Sequence, residues 1–387
     1  MVPASNAARR IYFGVVKVGL IVYGDLGLVS GGNLYDQMLV EHLRDRDHEV
    51  DVVSLAHGSY GRHLLQNYSP GLRRSLSKAG YDVLISDELA HPSLVRLNER
   101  LRRTVSYPLV SIVHHLRSSE DHPPWQNDFY RRVEKRYLES IDAFVFNSLT
   151  TKESVEALLQ KKTRNVVATP GGDRLAVRLS RADIQERADE EGPLRLLFVG
   201  NLIPRKRLHV LLDVLGELRE APWQLDVVGS VDMDRGYVRR VRAQVERLAL
   251  GSKITFSGTL DGERLAERYR GAQMLVVPSS YEGFGIVYLE AMAFGLPVIA
   301  GAAGASDEIV LHESTGFLVP PDDRFSLRLQ LERVIHHSDH SDHSDHSDER
   351  ALLARLSVNA FETFHDHATW EQSMTSIEDL LKGLATA

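Results

Sequence analysis

Short runs of β-branched and aliphatic residues, each followed by a stretch with helical spacing, recur along almost the whole chain. This alternation limits the fold more than any other feature. The first set is VKVGLIVYG (16–24), HEVDVVSL (48–55), YDVLIS (81–86), YPLVSIVHH (107–115) and DAFVFNS (142–148). Strands that are apolar throughout are covered on both faces, and helices between them return the chain so that the strands pair in parallel. One α/β domain is the expectation. A polar stretch with Pro and Gly at its ends, PGGDRLAVRLSRADIQERADEEGP (170–193), reads as an interdomain connection. The alternation then restarts with LRLLFVG (194–200), WQLDVVG (223–229), KITFSG (253–258), QMLVVPSS (273–280) and LPVIAG (296–301), which predicts a second α/β domain. A chain of 387 residues, 43% hydrophobic, suits two cores, since a single core stops growing near roughly 250–300 residues.

The expected division is an N-terminal Rossmann-like domain over 1–175, a C-terminal Rossmann-like domain over 176–363, and a helix over 364–387 that packs back onto the first. Two doubly wound sheets facing one another leave a cleft outside the carboxyl ends of their strands, where ligands bind. A repeat, HSDHSDHSDHSD (337–348), interrupts the second domain. It reads as a solvated loop, although His and Asp are both metal ligands.

Composition removes several classes of function. With no Cys there is no disulfide framework, thiolate zinc site or cysteine nucleophile, and a formal charge of -7 gives no basic field for nucleic acid. The apolar run IYFGVVKVGLIVYG is broken by Lys17 and is too short for a membrane span. The expected location is cytoplasmic, at most peripheral at the inner membrane face.

Chemistry concentrates in PSSYEGFGIVYLEAMAFGLPVIA. Gly283 and Gly285 flank Phe284 in a turn where the backbone can approach a ligand. A helix follows from about Gly285 to Phe294, ended by Gly295 and Pro297, and its free amides and positive end suit phosphate. Glu282 stands on the turn and Glu290 within the helix, and carboxylates accept hydrogen bonds from vicinal diols well. After the strand LRLLFVG come Asn201, Arg205 and Lys206, cations that would neutralise a departing diphosphate. Gly31 and Gly32 follow the first strand and open a helix, without a GxGxxG fingerprint. His114 and His115 close the strand YPLVSIVHH, and Asn147 and Ser148 close the next. Asp232 and Asp234 imitate a metal-binding DxD but precede the helix RGYVRRVRAQVERL, where Asp is an ordinary cap.

The paired Glu in EGFGIVYLE resemble the donor-site signature of retaining GT-B glycosyltransferases of family 4, and the resemblance extends across nearly the whole chain. It implies that Glu282 lies near the donor sugar, Glu290 at the ribose, and the backbone of Phe284, Gly285, Ile286 and Val287 at the sugar and diphosphate. Lys206 matches the family's phosphate-binding Lys, whereas Asn201 stands where Arg is usual, with Arg205 as a supplement. Gly31 and Gly32 match the glycine motif, and His114 matches a His that orients the sugar. Leu260, in SGTL, falls in a segment that holds the base through backbone. The implied activity moves a hexose from a UDP-, GDP- or ADP-sugar to an acceptor hydroxyl, with retention and without metal or other cofactor. The acceptor stays open between lipid-linked, glycan and small-molecule hydroxyls, as does peripheral contact of the basic clusters with an anionic bilayer. A catalytically degenerate nucleotide-sugar binding protein and a GT-B phosphorylase or epimerase remain alternatives.

Overall fold

The computed structural model describes residues 14–27, 31–335 and 347–386, with side chains from 351 onward in the last stretch. The chain divides into two compact units, Met1–Pro170 with Trp370–Ala387, and Gly171–Thr369. The HSD repeat lies outside the described side chains. No helix among the described residues is long and apolar enough to cross a membrane.

In the first unit, β1 (Lys17–Tyr23), β2 (Glu49–Leu55), β3 (Val83–Asp87), β4 (Leu109–Val113), β5 (Ala143–Phe146) and β6 (Asn165–Val167) form a parallel sheet in the order β2-β1-β3-β4-β5-β6. β3, β4 and β5 are buried at every position, as runs covered on both faces must be, while the edge strand β2 is mostly open. The helices are α1 (Gly31–Asp45), α2 (Tyr60–Gln66), α3 (Pro70–Lys78), α4 (His91–Leu101), α5 (Pro124–Leu138) and α6 (Leu149–Leu159). The direction of winding reverses between β1 and β3, so the ends of those strands and of β4 border the usual ligand position of such a sheet.

In the second unit, β7 (Leu194–Val199), β8 (Trp223–Val228), β9 (Ile254–Gly258), β10 (Met274–Val277), β11 (Val298–Gly301) and β12 (Gly316–Val319) run parallel in the order β12-β11-β10-β7-β8-β9. Its helices are α7 (Arg181–Ala188), α8 (Leu208–Glu217), α9 (Arg235–Arg247), α10 (Gly262–Gly271), α11 (Ile286–Ala293), α12 (Arg324–Ile335) and α13 (Ser347–Phe364). Here the winding reverses between β7 and β10. Both strands feed the segments singled out by their chemistry, Asn201 to Arg207 after β7 and Ser279 to Glu290 after β10.

Two parts of the chain depart from the expectation. The supposed connection 170–193 is built into the second unit. Ser180 and Asp183 form a capping box that starts α7, and Ile184 is fully buried. Arg187 donates to the carbonyls of Phe294 (2.7 Å) and Gly295 (2.9 Å), closing the C-terminal end of α11. Arg187 is buried against these carbonyls, while the other charged residues of the stretch are exposed. At the C-terminus, Phe364 ends α13, and the final helix α14 spans Trp370–Ala385. It joins the first unit through Glu378, which accepts from His42 Nε2 (3.0 Å) and His48 Nε2 (3.1 Å) of α1 and the loop after it.

Candidate functional site

The second unit gathers most of the expected residues at its winding reversal. Pro204, Arg205 and Lys206 form a single 3-10 turn after β7, and the carbonyl of Arg205 receives the amide of Ser280 at 2.9 Å. That bond ties the two strand-end segments together. Arg205 Nη1 donates to the Tyr281 carbonyl at 2.6 Å and lies 3.5 Å from Glu282 Oε2. Lys206 Nζ donates to Glu282 Oε1 at 2.6 Å. Glu282 is only 6% exposed, and its backbone carbonyl is fixed by the amide of Ala305 at 2.9 Å. Burial opposes ionisation of Glu282, yet Lys206 and Arg205 outweigh it and hold the carboxyl down at about 2. Burial likewise pulls Lys206 down, against the Glu282 charge. Breaking a buried pair of this kind typically costs about 3–5 kcal/mol, because one charge is left uncompensated.

Gly285 precedes α11 with φ +107, and a Cβ there would meet the Tyr288 ring at 2.4 Å. Only glycine makes this sharp entry. No side chain caps the helix, so the amides of Ile286 and Val287 open it with no partner inside the helix. Phe284 is buried and anchors the turn, whereas Gly283, Ile286 and Val287 are partly open. The arrangement is two cations, one carboxylate and a positive helix end around one turn, which suits a phosphorylated, hydroxyl-rich ligand.

Glu290 sits deeper on α11, 1% exposed. Arg174 Nε donates to its Oε1 at 2.5 Å and the Tyr269 hydroxyl to its Oε2 at 3.0 Å. Neither partner was found from the sequence. Arg174 lies in the stretch read as a connection, and Tyr269 is an aromatic in an amphipathic helix, a type that ordinarily signals core. Asn201 follows Gly200 at the end of β7, half-buried, and Leu260 packs against the core between β9 and α10. Asp234 caps α9 by accepting the Tyr237 amide at 2.8 Å, and exposed Asp232 pairs with Arg235 at 3.0 Å.

In the first unit, Gly31 and Gly32 form the start of α1, and His114 follows the last residue of β4. The His114 backbone carbonyl accepts from Thr151 Oγ1 at 3.3 Å. Its ring meets Tyr35 edge-on at 5.3 Å and lies 3.5 Å from Asp36. Neighbouring His115 bonds to Glu120 at 2.9 Å, and Ser148 caps α6 through the Thr151 amide at 3.0 Å.

Comparison with known proteins bears on this arrangement. Residues 180–350 match the family model described as glycosyl transferases group 1. An uncharacterized glycosyltransferase of Methanocaldococcus jannaschii is 37% identical over 141 residues, 36% of this chain and 35% of that one, so the chain spans about a third of that relative. The D-inositol 3-phosphate glycosyltransferase of Kineococcus radiotolerans is 27% identical over 82% of this chain and 85% of its own. Among solved structures, the sucrose-phosphate synthase of Thermosynechococcus elongatus superposes with a TM-score of 0.76 at 24% identity, covering 96% of this chain and 99% of that one. The Anabaena protein HepE in complex with UDP-glucose gives 0.70 at 20%, covering 95% and 100%. These structures share the two-domain GT-B fold, and within it residues 180–350 of the second unit are similar to the glycosyl transferases of group 1.

Proposed function

We propose that this protein is a retaining glycosyltransferase that moves a hexose from a nucleoside diphosphate sugar to an acceptor hydroxyl by a front-face route without metal. The observation that carries the reading is the Lys206–Glu282–Arg205 group beside the uncapped start of α11. Lys206, Arg205 and the amides of Ile286 and Val287 take the diphosphate. As the bond from the anomeric carbon to phosphate breaks, the charge that grows on the leaving oxygen meets these fixed positive groups. Glu282, ionised and neutralised by two cations, is a weak base. It suits accepting sugar hydroxyls better than attacking carbon or removing a proton. The acceptor oxygen then bonds to the anomeric carbon on the face the phosphate leaves, and a phosphate oxygen takes the acceptor proton. Glu290 receives the ribose hydroxyls.

The likeness to a protein crystallised with UDP-glucose makes UDP-hexoses the first donors to try. Incubation of the purified chain with UDP-, GDP- and ADP-hexoses, followed by mass spectrometry, tests the reading. Slow donor hydrolysis or transfer is expected. Tight binding with neither would leave a nucleotide-sugar binding protein, the reading that Asn201 favours by standing where Arg is usual.

A further inference from the structure

Glu88, His91 and Glu134 bring two carboxyls and an imidazole together inside the first unit, and their candidate ligand atoms all lie within 4.8 Å of one another. Glu88 belongs to the 3-10 turn that follows β3, His91 opens α4 three residues later, and Glu134 comes from α5, which packs on α4. All three are buried, at 1% exposure or less. Glu88 has no well-formed hydrogen bond at either carboxylate oxygen. Glu134 shares the Ser118 amide between its two oxygens, at 3.2 and 3.4 Å. Arg117, on the same turn as Ser118, lies over the rings of Tyr60 (5.5 Å) and Tyr130 (4.9 Å) and leaves its Nε unbonded. Two buried carboxylates this close are strongly unfavourable unless a cation stands between them.

We infer that Glu88, His91 and Glu134 bind a divalent cation of the zinc class, which fastens the turn after β3, α4 and α5 to one another and takes no part in sugar transfer. The donor set decides the class. An imidazole with two carboxylates suits Zn2+, whereas Mg2+ and Ca2+ take oxygen ligands. Glu88 and His91 are spaced i,i+3 and so share one face. His91 is already oriented as ligand imidazoles are, because each ring nitrogen has a protein partner. Nδ1 lies 2.9 Å from the Glu88 carbonyl and Nε2 3.0 Å from the Tyr60 hydroxyl. Whichever nitrogen takes the ion, the other keeps its bond and fixes the tautomer. With both carboxylates ionised and the imidazole neutral, the ligands carry two negative charges, which the ion cancels.

The probe is Zn2+ alone, added to the full chain after chelation and dialysis. His and Asp of the repeat at 337–348 offer a second source of ligands, so the titration is repeated with His337, His340, His343 and His346 replaced by Ser. One tight equivalent should remain in that variant and raise Tm by several degrees, as an ion held only by the folded state must. His91→Gln and Glu134→Gln, made in the same background, should each abolish it. Glu88→Gln should raise the Tm of the metal-free chain at pH 8, yet lower it relative to wild type once zinc is present. X-ray absorption at the zinc edge should count one imidazole among oxygen donors at about 2.0–2.2 Å.

Loss of the equivalent with the repeat histidines, its survival in His91→Gln, or a spectrum with two or more imidazoles overturns the inference. So does the absence of any tight equivalent in the wild type. Should the ligand variants not fold, the stoichiometry in the repeat-substituted chain and its absorption spectrum still decide. None of these measurements uses a nucleotide sugar, so their outcome is independent of the transferase reading above.

Discussion

Arg174 Nε donates to Glu290 Oε1 at 2.5 Å while Tyr269 donates its hydroxyl to the other oxygen at 3.0 Å. The carboxylate is therefore aimed by the protein before any ligand arrives. A carboxylate offers about four acceptor positions, and two are taken, which leaves two for a vicinal diol. Arg174→Gln should raise donor KM about tenfold, equivalent to about 1.4 kcal/mol, with a smaller change in kcat. Calorimetric titration with UDP checks it. Unchanged UDP affinity in that variant would remove Glu290 from the ribose.

Glu282 gives a pH signature. Its folded-state value of about 2 lies below that of an unfolded glutamate near 4.3, so its pairing stabilises the fold fully above pH 4.3. That contribution is lost as pH falls towards 2. The stability difference between wild type and Glu282→Gln should therefore be largest at neutral pH, on the order of 3 kcal/mol, and should close between about pH 4 and 2. Urea unfolding across that range reads it, and a difference independent of pH would contradict the pairing.

Glu88 behaves in the opposite sense. It is fully buried, and neither of its carboxylate oxygens has a well-formed hydrogen bond. His91 Nδ1 lies 2.9 Å from Glu88 Oε1 and equally close to the Glu88 backbone carbonyl, to which it donates. Burial pushes Glu88 up to about 7 and pulls His91 down to about 4. A carboxyl whose folded value is raised makes the fold less stable as pH climbs from its unfolded value through 7. Glu88→Gln should thus raise Tm at pH 8 by several degrees and change it little at pH 4. A uniform effect would show that Glu88 is paired in solution.

The two sheets were legible because continuous apolar strands leave a strong sequence signal, and the paired Glu segment because glycine, turn and helix start lie within twelve residues. What escaped notice was long-range pairing of polar residues. Nothing local in GGDRLAV indicates that Arg174 reaches a carboxylate more than a hundred residues away, and Arg187 looks solvated until the carbonyls of Phe294 and Gly295 are seen beside it. Asp36 was hidden for a related reason. It occupies one position of an amphipathic helix, and its partners come from the ends of β3 and β4, an association that only the sheet order creates.

The same long-range logic governs the final helix. His48 Nδ1 accepts the Val16 amide at 3.0 Å, so the ring's proton is on Nε2, which donates to Glu378 at 3.1 Å. His42 Nε2 approaches the other oxygen at 3.0 Å, and Lys382 adds a charge at 2.5 Å. One buried carboxylate of α14 therefore fastens α1 and the approach to β1. Glu378→Ala leaves two buried imidazoles without their acceptor and should cost about 3 kcal/mol, whereas Glu378→Gln, which keeps one acceptor oxygen, should cost less. Hydrogen exchange should show the loss of protection in α14 and at Val16, with α7 and α11 of the second unit unaffected. Equal deprotection of both units would show that Glu378 supports the whole chain and not the first unit alone.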